Sequence, residues 1–158
     1  MDKVKEMVQT LKQRGKTLAT AESCTGGLLG KRITDVSGSS AVYPGGIISY
    51  ANEVKRGLLE VSQNDLDTLG AVSEPVARQM ARGVRAALGA DLGVGITGIA
   101  GPGSDGTGKP VGLVYIGVSD TAGTTVREYH FSGTRAQIRR QSADAAAELV
   151  LARLYEAV

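Results

Sequence analysis

Cysteine and histidine are nearly missing from this chain: Cys24 and His130 are the only examples in 158 residues. One thiol cannot build an internal disulfide framework, and it fits a reducing, cytoplasmic compartment. With one imidazole and no clustered His/Cys/Asp/Glu spacing, no metal site is expected. Aromatic residues make up 4% of the chain, and the basic residues are dispersed for a net charge of only +2, so a nucleic-acid partner is not favoured. No apolar run approaches membrane-spanning length, and Met1-Asp2-Lys3-Val4-Lys5-Glu6 lacks a signal-peptide core, so no membrane association is expected. Hydrophobic residues reach 42%. The chain therefore reads as one soluble globular domain over residues 1–158, large enough for a core without staples.

Glycine is what the chain has in excess, with 22 copies gathered around Gly26-Gly27, Gly45-Gly46 and the segment from Gly93 to Gly112. Glycine serves turns, but it also lets a ligand approach the backbone closely. The first cluster lies in Ala21-Glu22-Ser23-Cys24-Thr25-Gly26-Gly27, where a strand through Thr17–Thr20 hands over to a helix from about Cys24 to Val36. That helix carries Leu28, Leu29, Ile33 and Val36 at helical spacing. Hydroxyls and a thiol thus lie beside the first N–H groups of a helix, whose orphan donors and dipole favour an oxyanion or a phosphate.

Further along, Val4, Met7, Val8 and Leu11 predict an N-terminal helix ended by Gly15. Gly46–Tyr50 reads as a strand, and Asn52 opens a short helix with Val54, Leu58 and Leu59. Ser73 is an N-cap for a helix with Glu74 and Pro75 in its first turn and Val76, Met80 and Val84 as its apolar stripe. Asp91–Thr97 is a buried strand, Gly98–Pro110 a loop, and Val111–Val118 with Thr124–Phe131 an antiparallel hairpin. Thr134 and Gln137 match a capping box that opens a last helix, with Ile138, Ala145, Leu149 and Ala152 inward. The order implies a three-layer α/β/α sandwich with a mixed, mainly parallel sheet ending in an antiparallel hairpin. Ligands in such sheets lie outside the carboxyl ends of strands, and Ser23, Tyr50 and Thr97 each fall at such an end.

Ser23 needs a base. His130 lies on a different strand, so a Ser-His-Asp triad has no support. Lys55, a turn past Tyr50, can serve if desolvation lowers its pKa; a solvated surface residue is the default reading, since most lysines are exposed. Tyr50 reads as a donor that orients Lys55 or as a half-buried strand-end aromatic. Cys24 reads as a thiolate at a helix start or as a small core residue. The loop from Gly98 has neither Walker spacing nor GxGxxG before a helix. Arg135 and Arg139, four apart, share a helix face that is suited to a phosphate or simply solvated.

Taken in order, the motif around Ser23, Gly45-Gly46 leading to Tyr50-x-Asn52-x-x-Lys55, Gly70-Ala71-Val72-Ser73-Glu74, Thr97-Gly98-Ile99-Ala100-Gly101-Pro102, Lys109-Pro110-Val111-Gly112 and Phe131-Ser132-Gly133-x-Arg135 resemble the CinA C-terminal domain, the nicotinamide-mononucleotide (NMN) deamidase family. The resemblance covers nearly the whole chain. It implies an α/β/α fold, self-association, and hydrolysis of the NMN carboxamide to nicotinic acid mononucleotide and ammonia in pyridine-nucleotide recycling. It also implies Ser23 as nucleophile, Lys55 as base, Tyr50 and Thr97 in the pocket, and no cofactor. Thr25, Gly26, Gly27, Ser40, Gly46, Gly98 and Gly101, with Arg135 and Arg139, are then the substrate-binding candidates. Thr134 stands where family members often have Asp, which removes an acidic helix cap or Arg partner. The larger family proteins carry a further N-terminal domain whose metal-dependent activity is not carried over here. The competing expectation is a non-catalytic nucleotide-binding module, regulatory or linked to competence or DNA-damage processes, which would use the same glycine loops without Ser23 or Lys55 chemistry.

Overall fold

The computed structural model describes residues 1–156. Five strands form one sheet: β1 Leu18–Glu22, β2 Gly45–Ile48, β3 Leu92–Gly98, β4 Leu113–Asp120 and β5 Gly123–His130. Their spatial order is β2-β1-β3-β4-β5. β1 runs parallel to both β2 and β3, whereas β3–β4 and β4–β5 are antiparallel. The antiparallel part therefore takes in the β3–β4 pairing as well as the terminal hairpin.

Helices cover both faces. On one side lie α1 Lys3–Arg14, α2 Leu28–Thr34 and α6 Arg135–Glu156, whose Met7, Leu11, Ile33, Ile138, Ala146 and Val150 join Val94, Ile96 and Ile116 of the sheet in one core. On the other lie α3 Asn52–Leu59, α4 Gln63–Leu69 and α5 Glu74–Leu88, which bury Leu59, Leu66, Val76, Met80 and Val84 against Ala19 and Ala21. Among the described residues no helix is long and apolar enough to cross a membrane.

Several glycines serve packing. Gly93 and Gly95 on β3, with Gly117 paired to Gly95 on β4, face α5 so closely that a β-carbon on any of them would run into the backbone of Ala77 or Ala81. Small residues on that face seat α5 directly on the sheet. Part of the glycine excess thus sets a helix–sheet distance rather than a ligand contact.

Some local expectations need correction. α2 begins at Leu28, not near Cys24, because Gly26 and Gly27 adopt left-handed φ values of 57° and 102° and make residues 24–27 a turn. α4 has no counterpart in the sequence reading. Ala152 is exposed, and Leu58, expected as an apolar anchor of α3, is 58% exposed. Ser73 holds the N-cap position of α5, but its hydroxyl donates back to Gly70 O instead of accepting from the helix. Thr134 does cap α6: Gln137 N donates to Thr134 Oγ1 at 3.2 Å, and Thr134 N donates to Gln137 Oε1 at 2.8 Å. The threonine thus supplies a neutral cap of its own.

Candidate active site

The parallel strands β1, β2 and β3 end at one edge of the sheet, and Ser23, Ser49-Tyr50 and Thr97-Gly98 meet there. Ser23 follows β1 directly, and its N–H donates to Ile96 O of β3 at 3.0 Å. Ser49 follows β2, and its N–H donates to Glu22 O at 2.8 Å. Lys55 comes from α3, one turn beyond. Contrary to what its residue type suggests, it is only 1% exposed.

The Lys55 ammonium donates to Ser23 Oγ at 2.9 Å, to Ser49 O at 2.6 Å and to Tyr50 O at 3.3 Å. Two of its three hydrogens are thus bound by main-chain carbonyls, and the remaining position faces the serine oxygen. Once neutral, the amine keeps both carbonyl bonds and turns its lone pair to the Ser23 hydroxyl. No carboxylate pairs with Lys55 among the described residues. Burial pushes its pKa down to about 8 from 10.5. That difference makes the cation about 3 kcal/mol less favourable here than in water. Near neutral pH a far larger share of Lys55 is therefore unprotonated than of a free lysine.

Cys24 also borders the site but is chemically quiet: burial raises its thiol pKa to about 12. It packs with the core formed by α1, α2 and α6. His130 is exposed at the end of β5, bonded to Glu128, on the opposite edge of the sheet from β2. It takes no part in the Ser23 site.

A cavity of about 290 Å³ opens over the Ser23–Lys55 pair. Of the candidates, Ser23, Tyr50, Lys55, Thr97, Gly98, Gly101 and Arg135 line it, together with Cys24, Ser104 and Asp105. Tyr50 is 65% exposed, and its hydroxyl accepts from Arg135 Nη2 at 3.4 Å. What reaches Lys55 is the Tyr50 main-chain oxygen, so its contact with the dyad is a main-chain one, while the residue still lines the cavity. Thr97 Oγ1 donates to Ala71 O at 2.8 Å, which leaves it only lone pairs to offer the cavity. Arg135 donates from Nη1 to Gly101 O at 2.7 Å and so ties α6 to the glycine loop at the cavity wall.

The other substrate-binding candidates, Thr25, Gly26, Gly27, Ser40, Gly46 and Arg139, do not line this cavity. Thr25 is fully buried. Gly27 packs against Ile48, and Gly46 against Thr20 and Tyr43. Ser40 is exposed on the short 3₁₀ turn Ser39–Ala41. Arg139 borders a separate hollow with Asp2, Leu28, Arg32, Ala136 and Arg140, so Arg135 and Arg139 do not act as one clasp.

Two contributors escaped the sequence reading. Glu22, buried at the end of β1, accepts from Leu29 N and Gly30 N, both at 2.9 Å. These are first-turn amides of α2, so the helix-start donors expected to face a ligand are held by an internal carboxylate. Gly26 N donates to Ser23 O, while the N–H groups of Cys24 and Thr25 enter no main-chain hydrogen bond among the described residues. The second is Ser49, which works through its carbonyl. A main-chain acceptor leaves no side-chain signature. Glu22 had one signal, an acid placed just before a helix start.

Residues 2–154 match the profile of the CinA C-terminal domain. A CinA-like protein of Acaryochloris marina is 58% identical over 134 residues, covering 84% of this chain and 32% of that protein. A CinA-like protein of Geobacter sulfurreducens is 49% identical over 151 residues, covering 96% and 37%. The chain thus spans about a third of the length of these curated relatives. Among solved structures, the competence/damage inducible protein CihA from Agrobacterium tumefaciens superposes with a TM-score of 0.89 at 37% identity, over 95% of this chain and 94% of that one. A CinA superfamily protein from Klebsiella pneumoniae gives 0.94 at 29% identity, over 98% and 96%. With its sequence and its fold both matched over nearly their whole extent, the chain belongs to the CinA C-terminal domain family.

Proposed function

We propose that this chain is a nicotinamide-nucleotide amidase that hydrolyses the carboxamide of NMN to nicotinic acid mononucleotide and ammonia. The observation that carries the proposal is the 2.9 Å bond between a buried, carboxylate-free Lys55 and Ser23 Oγ. Neutral Lys55 takes the Ser23 proton as Oγ attacks the carboxamide carbon, and the carbonyl oxygen becomes an oxyanion. The N–H of Cys24, which borders the cavity, is the donor proposed for it. Collapse breaks the C–N bond, and the Lys55 ammonium returns its proton to the leaving nitrogen. Water, deprotonated by the same amine, then opens the ester and restores the Ser23 hydroxyl. Every proton and bond balances within the dyad, the substrate and water. Thr97, its proton committed to Ala71, suits the carboxamide NH₂ as an acceptor, and Arg135 is the cation proposed to meet the phosphate.

Ammonia release on adding NMN to the purified chain tests this directly. We expect release by the wild type, unchanged by a chelator, and none by Ser23→Ala. NMN left intact by a folded wild-type chain would leave a nucleotide-binding module in place of an enzyme.

A further inference from the structure

One cation beside the nucleophile has no part in the chemistry just described. Arg139, on the second turn of α6, donates from Nη2 to Thr25 O at 2.9 Å. That carbonyl belongs to the Thr25–Gly26 peptide, whose N–H donates to Ser23 O at 3.1 Å. From its other side Ser23 is held by its own N–H on Ile96 O. A single peptide unit thus relays the guanidinium to the main chain of the nucleophile, and such serial bonds polarise and reinforce one another.

The contact is close. A β-carbon on Gly26 would come within 3.1 Å of Arg139 Nη2, so the guanidinium lies against the turn where a side chain would otherwise stand. Among the described residues Arg139 Nε is buried with no partner, and so is Thr25 Oγ1. The side chain therefore holds this pose with one N–H unsatisfied, and its bond to the turn is the one to the Thr25 carbonyl. Residues 24–27 lie in neither a strand nor a helix. Leu28 N also donates to Thr25 O at 3.0 Å and Lys31 N to Gly27 O at 2.9 Å, which tie the turn forward to α2, while Arg139 ties it to α6.

We propose that Arg139 is a positioning residue: through the Thr25–Gly26 peptide it sets the Ser23 main chain so that Oγ meets Lys55 Nζ. The assignment rests on the Ser23–Lys55 dyad and extends it to a residue outside the cavity.

Three variants, Arg139→Met, Arg139→Lys and the neighbouring Arg140→Met, test it in two readouts, with folding checked by circular dichroism. The first is the Lys55 titration midpoint, followed by NMR of the labelled amine. In Arg139→Met we expect it to rise by ~0.5 pH unit or more towards free lysine, as the loosened turn admits water. The second is steady-state kinetics on NMN, where kcat should fall about tenfold or more with KM within about threefold. Arg139→Lys, still able to donate to Thr25 O, should recover most of both, and Arg140→Met should change neither. An unchanged midpoint and kcat in folded Arg139→Met overturns the assignment. So does a loss confined to KM, or an equal loss in Arg140→Met. If Arg139→Met does not fold, Arg139→Ala, which likewise has no donor, is judged by the same criteria. If the wild type does not turn over NMN, the proposed function fails, while the Lys55 midpoints still decide the role of Arg139.

Discussion

Lys55 and Cys24 are neighbours in a buried site, and the same physical cause drives their chemistry apart. Desolvation disfavours the charged form of each: it takes a proton from the lysine and keeps one on the thiol. A base needs the first effect and a thiolate nucleophile is prevented by the second. Ser23→Ala should therefore abolish ammonia release while leaving the unfolding midpoint nearly unchanged, whereas Cys24→Ala should keep substantial turnover. The reverse ranking would replace the serine mechanism with a thiol one. Because the base acts when unprotonated, kcat/KM should rise about tenfold per pH unit below about 8 and level off above it. Lys55→Arg should be nearly as damaging as Lys55→Ala, since a guanidinium does not deprotonate usefully. Stability carries the same sign. Between about 8 and 10.5 the unfolded chain still holds a proton that the folded lysine has shed, so stability should climb with pH across that window. Urea midpoints of wild type and Lys55→Met should diverge there; a rate profile flat through pH 8 would remove the base role.

At the scale of elements, the site depends on spacings that were legible in the sequence and on contacts that were not. The strand-end positions of Ser23, Tyr50 and Thr97 followed from apolar runs ended by polar residues, and three parallel strands do bring them to one edge. The Thr134–Gln137 box and the Val76-Met80-Val84 stripe were equally readable, because each is a local pattern with one physical solution. α4 was missed because Gln63-Asn64-Asp65-Leu66-Asp67-Thr68-Leu69 buries only Leu66 and so has almost no periodicity to detect. The burial of Lys55 was invisible for another reason. It arises where α3, packed on α5, brings Lys55 to the residues that follow β1 and β2, a tertiary event that no local pattern encodes. Gly95 shows the same limit: in the sequence it belongs to a glycine cluster open to a ligand contact, yet it seats α5 on the sheet. Gly95→Ala should therefore lower stability by about 2 kcal/mol, as overpacked cores do. Gly103→Ala, whose added methyl meets nothing within 4 Å, should stay within about 0.5 kcal/mol. Urea denaturation compares them, and equal midpoints would show that α5 shifts freely.

In the whole molecule, the walls of the cavity come from elements far apart in sequence: the β1 exit, α3, the loop after β3 and the start of α6. The dyad lies at the inner end of this arrangement, and Arg135, bonded to Gly101 O and exposed, is part of its outer wall. Among the lining residues Arg135 and Lys55 are the cations and Asp105 the anion. If Lys55 is spent on the chemistry, Arg135 is left as the cation for a distant phosphate. Remote binding of that kind orients the reacting carbon as well as adding affinity. Free nicotinamide offers the same carboxamide without ribose or phosphate. Losing one charge-assisted contact should cost roughly 1.5–3 kcal/mol, or about ten- to a hundredfold in kcat/KM. NMN should accordingly be preferred over nicotinamide by at least that factor. Arg135→Ala should erase most of the preference by lowering kcat/KM for NMN while leaving the weak rate on nicotinamide nearly unchanged. Parallel kinetics on both compounds with both proteins give the four rates needed. Equal losses on the two substrates would make Arg135 a strut for the glycine loop, and equal efficiency of the wild type on both would remove the nucleotide from the proposed substrate.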